Sequence, residues 1–286
     1  LGDGHEVVRI SRTHGVDLVS GEGLDAALTG VDAVVDAISA PPGSRDQTVD
    51  YFRTTTANLL AAEQRAGVRH HVLLSEGKAE YRCSRAGVDT HLEIAVSPED
   101  QVELRRLRIH NTGRNLRLIE LTSYAEVVLA TPAADAQHPA FSKLFVHTEI
   151  LDDASALLCQ RRPRGEGDAS PWLVHLVAPH RPHGVSQIGD ISYDSDRAHF
   201  IGRGGSVAAP AALRAVGPLS GSAGAVLDPV AAARCALRIE PGATAVVDFV
   251  TGVGDAREAC VAMVEKYRDR QLAERVFGLA WTHAQV

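Results

Sequence analysis

The sequence predicts a mainly β protein: a large β-sandwich closed by C-terminal helices and preceded by an incomplete α/β segment. Three observations carry this. Strand-like and helix-like runs alternate over residues 1–75. Residues 76–254 hold many short β-branched or alternating runs separated by turn formers, and helical patterning returns only over 255–286. These three stretches are the expected domains.

At 286 residues, with 45% apolar and 23% charged content, the chain reads as globular and long enough to bury a sizeable core. A net charge of −7 argues against nucleic acid or an acidic membrane surface as partner, whereas a neutral sugar suits it. No run approaches the about 18 apolar residues of a membrane span, and Leu1-Gly2-Asp3-Gly4-His5-Glu6 holds no signal region. A cytoplasmic location is the expectation. Cys83, Cys159, Cys235 and Cys260 are scattered without a C-x-x-C pair, so plain reduced thiols are expected rather than a zinc or redox site.

In the first segment, Glu6–Ile10 and Ala33–Ile38 read as strands, with a short helix at Leu24–Leu28 between them. A turn with Pro41, Pro42 and Gly43 leads into a helix from about Asp46 to Ala66. Val49, Phe52, Leu59 and Leu60 lie near one face of that helix, and Gly67 is its stop. Val68–Leu74 is the next strand. This order implies a parallel sheet with helical crossovers. Gly4-His5-Glu6-Val7, Ser11-Arg12, Gly30-Val31-Asp32-Ala33-Val34-Val35 and Gly67-Val68-Arg69-His70 resemble the atypical short-chain dehydrogenase-like, NAD(P)H-binding proteins. The resemblance implies a Rossmann-like fragment in which Arg12, beside Ser11, reads a 2′-phosphate of NADP and Asp17 lies near the adenine. It also places Ala37-Ile38-Ser39 near the ribose. The glycine-rich pyrophosphate turn would precede Leu1, and Tyr51 is followed four residues later by Thr55 rather than Lys. A non-binding remnant is therefore the expectation. Gly252-x-Gly254 imitates such a turn, but Arg257 holds the third glycine position. A strand leaving a sheet, with Asp255 as helix N-cap, is the expected reading.

In residues 76–286 the expected strands are 78–83, 90–96, 102–109, 116–128, 144–149, 156–161, 172–178, 233–239 and 244–251. Several long stretches here carry a second resemblance. They are Thr90–Asp100, Leu121–Val127, His138–Val146, Asp196–Gly204, Glu265–Asp269 and Ala280–Gln285. Together they resemble the large β-sandwich, or supersandwich, of cyclic β-1,2-glucan synthetases and related cellobiose- and chitobiose-type glycoside phosphorylases. The resemblance implies a carbohydrate-binding scaffold, with a β-glucan or oligosaccharide as partner. It also implies a catalytic (α/α) barrel expected beyond Val286, toward which 255–286 would serve as linker helices. The inverting chemistry of such proteins needs a carboxylic acid of raised pKa. That acid is expected on the barrel, so no catalytic residue is assigned here. In a parent glucan synthetase the whole would be membrane-associated.

The candidate substrate-binding residues are Tyr124, Glu126, Asp135, His138, Phe141 and Lys143, grouped around one connection, and Arg203 in a glycine-flanked loop. Aromatic faces and polar side chains are what sugar hydroxyls and rings require. Trp172 and Trp281 are further aromatic candidates, read first as core. His180-Arg181-Pro182-His183 lacks a nearby third ligand and reads as a solvated loop rather than a metal site. Arg161-Arg162-Pro163-Arg164 reads as a charged hairpin tip. Two alternatives stand beside the glucan reading: an NAD(P)H-binding oxidoreductase-like protein, and a fused fragment with no activity of its own. The seam Leu73–Gly77, which lacks a linker composition, favours the second of these.

Overall fold

A computed structural model describes residues 6–38, 41, 44–75, 78–151, 153, 155–163, 165 and 170–283. The turn residues Pro42 and Gly43, the ribose-side Ser39, Glu76-Gly77 of the seam, Arg164 and Ala284-Gln285 lie outside them. The chain divides into two compact units: Leu1–Ser75 with Ala79–Arg85, and Glu76–Lys78 with Ala86–Val286.

The first unit contains α1 (Leu24–Ala27), β1 (Ala33–Asp36), α2 (Arg45–Ala66), β2 (His70–Ser75) and most of β3 (Lys78–Arg85). The β1 and β2 strands run parallel, with Ala33 opposite His70 and Asp36 opposite Leu73, so α2 is their crossover helix. A capping box starts α2: Gln47 N–H donates to Ser44 Oγ at 3.4 Å while Ser44 N–H donates to Gln47 Oε1 at 2.9 Å. Gly67, at φ 75°, ends it in the left-handed conformation that glycine takes without a Cβ clash.

Two expectations fail here. Residues 6–10 form no strand. They have no ladder partner among the described residues, and Val7 and Val8 stay exposed. The buried stripe of α2 is Thr55, Leu59, Ala62 and Glu63, whereas Val49 and Leu60 face solvent. The helix is turned by its polar anchors. Asn58 Nδ2 donates to the carbonyls of Leu18 and Val19 at 3.0 and 2.9 Å, and buried Glu63 pairs with His71 of β2 at 2.8 Å. Val16, Leu24, Leu28, Val34, Leu59 and Ala62 form the small core beneath.

The second unit is the sandwich. Its strands are β4 (Val88–Val96), β5 (Val102–Asn111), β6 (Arg117–Glu126), β7 (Val146–Leu151), β8 (Ala156–Arg161), β9 (Trp172–His180), β10 (Val185–Asp196), β11 (Gly224–Ala225), β12 (Pro229–Ile239) and β13 (Thr244–Gly254). Its helices are α3 (Pro132–Gln137), α4 (Pro139–Lys143), α5 (Arg197–Ile201), α6 (Ala211–Arg214), α7 (Arg257–Arg268) and α8 (Arg270–His283). Within this unit one sheet runs β4-β5-β13-β9-β8-β7-β11 and a three-stranded sheet runs β10-β12-β6.

Strand alternation builds two cores on the large sheet. Leu157, Cys159, Val177 and Val247 face one side and meet Ala231, Ala233, Cys235, Leu237 and Ile239 of β12. Leu104, Leu158, Val174, Leu176 and Val250 face the other and meet Cys260, Val264, Tyr267, Val276 and Phe277 of α7 and α8. The order is therefore small sheet, large sheet, helices. Trp172 is half-buried against the helix-side core.

The stretches Thr90–Asp100 and Glu265–Asp269 join to dock these helices. Lys266 Nζ reaches Asp100 Oδ2 at 2.6 Å, Tyr267 donates to the same oxygen, and Arg275 reaches Glu99 at 2.5 Å. Beneath α8, buried Arg106 holds Asp248 in a bidentate pair at 2.7 and 2.8 Å and also pairs with Glu274. The N-cap position of α7 is Ala256, without a side-chain cap, rather than Asp255, because the chain stays extended one residue further. The β10 strand has no counterpart among the strands that the sequence predicts. Ile188 is the single large apolar residue in its Ser186–Asp190 run, and its ladder to β12 is irregular between Ile188 and Ser192. Among the described residues, no helix is long and apolar enough to cross a membrane.

Candidate functional site

Tyr124 and Glu126 close β6, an edge strand of the small sheet. Tyr124 lies on the sheet face away from the sandwich interior, where its ring stacks on Phe200 of α5 at 4.8 Å and 30°. Its hydroxyl donates to Glu126 Oε1 at 3.1 Å. The same oxygen accepts from Arg197 Nε at 3.0 Å, and Arg197 stands 3.8 Å from Asp228. Asp228 in turn accepts from Lys143 Nζ at 2.7 Å. Four elements thus deliver one half-exposed network: β6, the start of α5, the residue before β12, and the end of α4. Asp196 fixes the start of α5 by accepting from Ala198 N–H at 2.8 Å. Arg161 and Arg162 secure the end of α4 by donating to the carbonyls of Ser142 and Leu144 at 3.0 and 3.2 Å.

The charges balance as two carboxylates against two cations. The Arg197 hydrogen bond, supported by Tyr124 and Lys143 against a burial cost, holds the Glu126 carboxyl below its usual range. Burial, with the bond to Glu126, pushes the Tyr124 phenol up to about 12. At neutral pH, Glu126 is therefore an ionised acceptor and Tyr124 a neutral donor. The arrangement suits hydroxyl recognition, and Glu126 is not the protonated carboxyl that glycosidic cleavage needs.

Of the residues singled out in sequence, the structure brings Tyr124, Glu126 and Lys143 together. Asp135, His138 and Phe141 share the α3–α4 segment with Lys143 but stay outside its ion pairs. Asp135 Oδ1 is buried with no hydrogen-bond partner among the described residues. His138 sits exposed at the start of α4. Phe141 is half-exposed, edge-on to Phe145 at 5.4 Å and 78°. Arg203 is exposed beyond α5, with no hydrogen bond or ion pair among the described residues.

Arg197, Asp228 and Phe200 are the members that sequence reasoning passes over. Arg197 and Phe200 stand inside Asp196–Gly204, a stretch that carries the family resemblance and could have pointed to them. Asp228 meets Lys143 from 85 residues away and carries no local signal.

In the first unit, Ser11, Arg12 and Asp17 line one open cleft of about 370 Å³ with Val19, Pro41 and Tyr51. The side chains of Ser11, Arg12 and Asp17 are already engaged. Ser11 Oγ meets His14 Nδ1 at 2.6 Å, Arg12 stands 3.6 Å from Asp17, and Asp17 accepts from Val19 N–H at 2.8 Å. His180 is no part of a solvated loop. It ends β9, and its Nε2 meets Asp248 Oδ2 at 2.9 Å, while Arg181, Pro182 and His183 are exposed. The cysteines are free thiols. Burial lifts Cys159 to about 12 and Cys235 and Cys260 to about 11, so these three are inert as nucleophiles.

Residues 44–270 match the glycosyl hydrolase 94 supersandwich domain. The chain belongs to this family. A curated relative, the cyclic β-(1,2)-glucan synthase NdvB of Rhizobium meliloti (strain 1021), is 30% identical over 291 residues. That alignment takes in 100% of this chain and 10% of the relative, so the chain spans about a tenth of that protein's length. A solved polysaccharide lyase, BACCELL_00875, shares 16% identity over 66% of this chain and 23% of its own, with a TM-score of 0.38. The family match begins at Ser44, the N-cap of α2, and the alignment to the glucan synthase runs through residues 1–75. The dehydrogenase-like reading of that segment gains no support from these similarities.

Proposed function

We propose that this chain is the non-catalytic, carbohydrate-handling sandwich of a cyclic β-1,2-glucan synthase-like glycosyltransferase or phosphorylase. In this reading, Tyr124, Glu126, Arg197, Asp228 and Lys143 form its glucan-contacting patch. The observation that carries the reading is convergence. Leu121–Val127, His138–Val146 and Asp196–Gly204, three stretches that carry the resemblance to this family, meet in one network although they are far apart in sequence. The chemistry supports it: an ionised carboxylate, a neutral phenol and two cations present both acceptors and donors to sugar hydroxyls. The catalytic acid then belongs to a separate barrel domain of the parent protein.

The test is calorimetric titration with β-1,2-linked glucan oligosaccharides. Wild type binds saturably, and Glu126→Gln weakens binding about tenfold, the value of one charge-assisted hydrogen bond. Equal binding by wild type and Glu126→Gln would remove this patch from the account.

A further inference from the structure

A second cleft in the sandwich unit, of about 420 Å³, is lined by His180, Arg181, Gln187, Asp190 and Arg268. This falls within the about 300–1,000 Å³ typical of small-molecule sites. Two local irregularities open onto it. The β10 ladder breaks between Ile188 and Ser192, with Gly189 at φ 64°, and the bulge carries Asp190 to the cleft wall. Ser155, between β7 and β8, holds a left-handed φ of 51° that a non-glycine residue adopts at a cost. Gln187 steadies the bulge by donating to the Gly189 carbonyl at 2.9 Å. His180 is fixed from behind by Asp248, itself held by Arg106.

The charges on this cleft are not spent on one another. Among the described residues, Arg181 has no hydrogen bond or ion pair, and Asp190 has none from its carboxylate. The Arg268 guanidinium makes a single 3.3 Å bond, to the Asp153 carbonyl. Among the described residues, no aromatic ring besides the His180 imidazole lines the cleft, so these residues offer no stacking face of the kind a neutral glycan uses. What remains is two guanidiniums, which match an anion bidentately, and a carboxylate with an amide, which suit hydroxyls.

We propose that this cleft binds a phosphorylated sugar, its phosphate held by Arg181 and Arg268 and its hydroxyls by Asp190 and Gln187. It is lined by none of the residues of the Tyr124–Glu126 network, and the proposal stands or falls independently of that patch. An acidic residue beside two arginines fits a ligand that carries hydroxyls as well as a phosphate, because a bare anion would gain nothing from Asp190.

The test is titration of the full chain with glucose 6-phosphate, inorganic phosphate and glucose. Glucose 6-phosphate is expected to bind saturably and at least about tenfold tighter than either fragment. Arg181→Ala and Asp190→Ala, both exposed positions, are each expected to weaken it at least about fivefold, with Arg203→Ala unchanged. No saturable binding of glucose 6-phosphate would overturn the proposal. So would phosphate binding as tightly as the sugar phosphate, or variants that bind like wild type.

Discussion

Acidification to pH 5 should destabilise this protein through one imidazole, His175. This side chain lies wholly inside the sandwich. Its Nε2 meets Ser123 Oγ of the small sheet at 2.7 Å, and its Nδ1 meets Thr251 Oγ1 of the large sheet at 3.0 Å. Burial, with a smaller contribution from the charge of Arg105, drives its pKa from 6.5 down to about 4. The folded state therefore keeps the ring neutral where the unfolded chain protonates it. Its contribution is fully present above pH 6.5 and is lost as pH falls toward 4. Each unit of separation corresponds to about 1.4 kcal/mol, so the full loss is about 3 kcal/mol, of which about 2 kcal/mol appears between pH 7 and pH 5. Urea unfolding at those two pH values measures it, with His175→Gln as control because its amide can serve both hydroxyls without titrating. Wild type should lose about 2 kcal/mol more than the variant over this interval. An equal pH dependence in the two proteins would refute the buried neutral imidazole.

Arg106→Met leaves Asp248 buried with His180 alone and should cost about 3–5 kcal/mol in urea unfolding. Arg106→Met/Asp248→Leu should recover much of that loss, because the uncompensated charge is gone. NADPH should give no saturable fluorescence titration, since Arg12 and Asp17 already face each other; micromolar affinity abolished by Arg12→Ala would reverse this. Incubated alone with β-1,2-glucan and phosphate, the chain should release no glucose 1-phosphate above background, because Glu126 is an ionised acceptor rather than a proton donor.

The sandwich was legible where burial imposes a period. Val102–Ile109, Ala156–Arg161 and Thr244–Thr251 alternate between two cores and were read as strands within a few residues of their ends. The β10 strand was not legible, because its mostly polar 186–190 run and its bulge hide the alternation that the rest of the strand obeys. Residues 6–10 misled in the opposite way: Val7 and Val8 have strand propensity, but a strand exists only with a ladder partner. Helix α2 shows a third limit. Its apolar residues alone put Val49 and Leu60 inside, whereas the polar anchors Asn58 and Glu63 set its rotation. The candidate site was half legible. Tyr124, Glu126 and Lys143 could be named from residue type and neighbourhood, but Asp228 joins them only through the register of β6 against β12.

If the Tyr124–Glu126–Arg197–Asp228–Lys143 network contacts glucan, hydrogen exchange with bound ligand will map that contact onto its segments. Adding β-1,2-linked glucan oligosaccharides to the full chain should slow amide exchange in segments around residues 122–128, 141–146, 196–201 and 226–230, and that protection should vanish in Glu126→Gln. Protection confined to other segments, or none at saturating oligosaccharide, would show that glucan does not bind at this network.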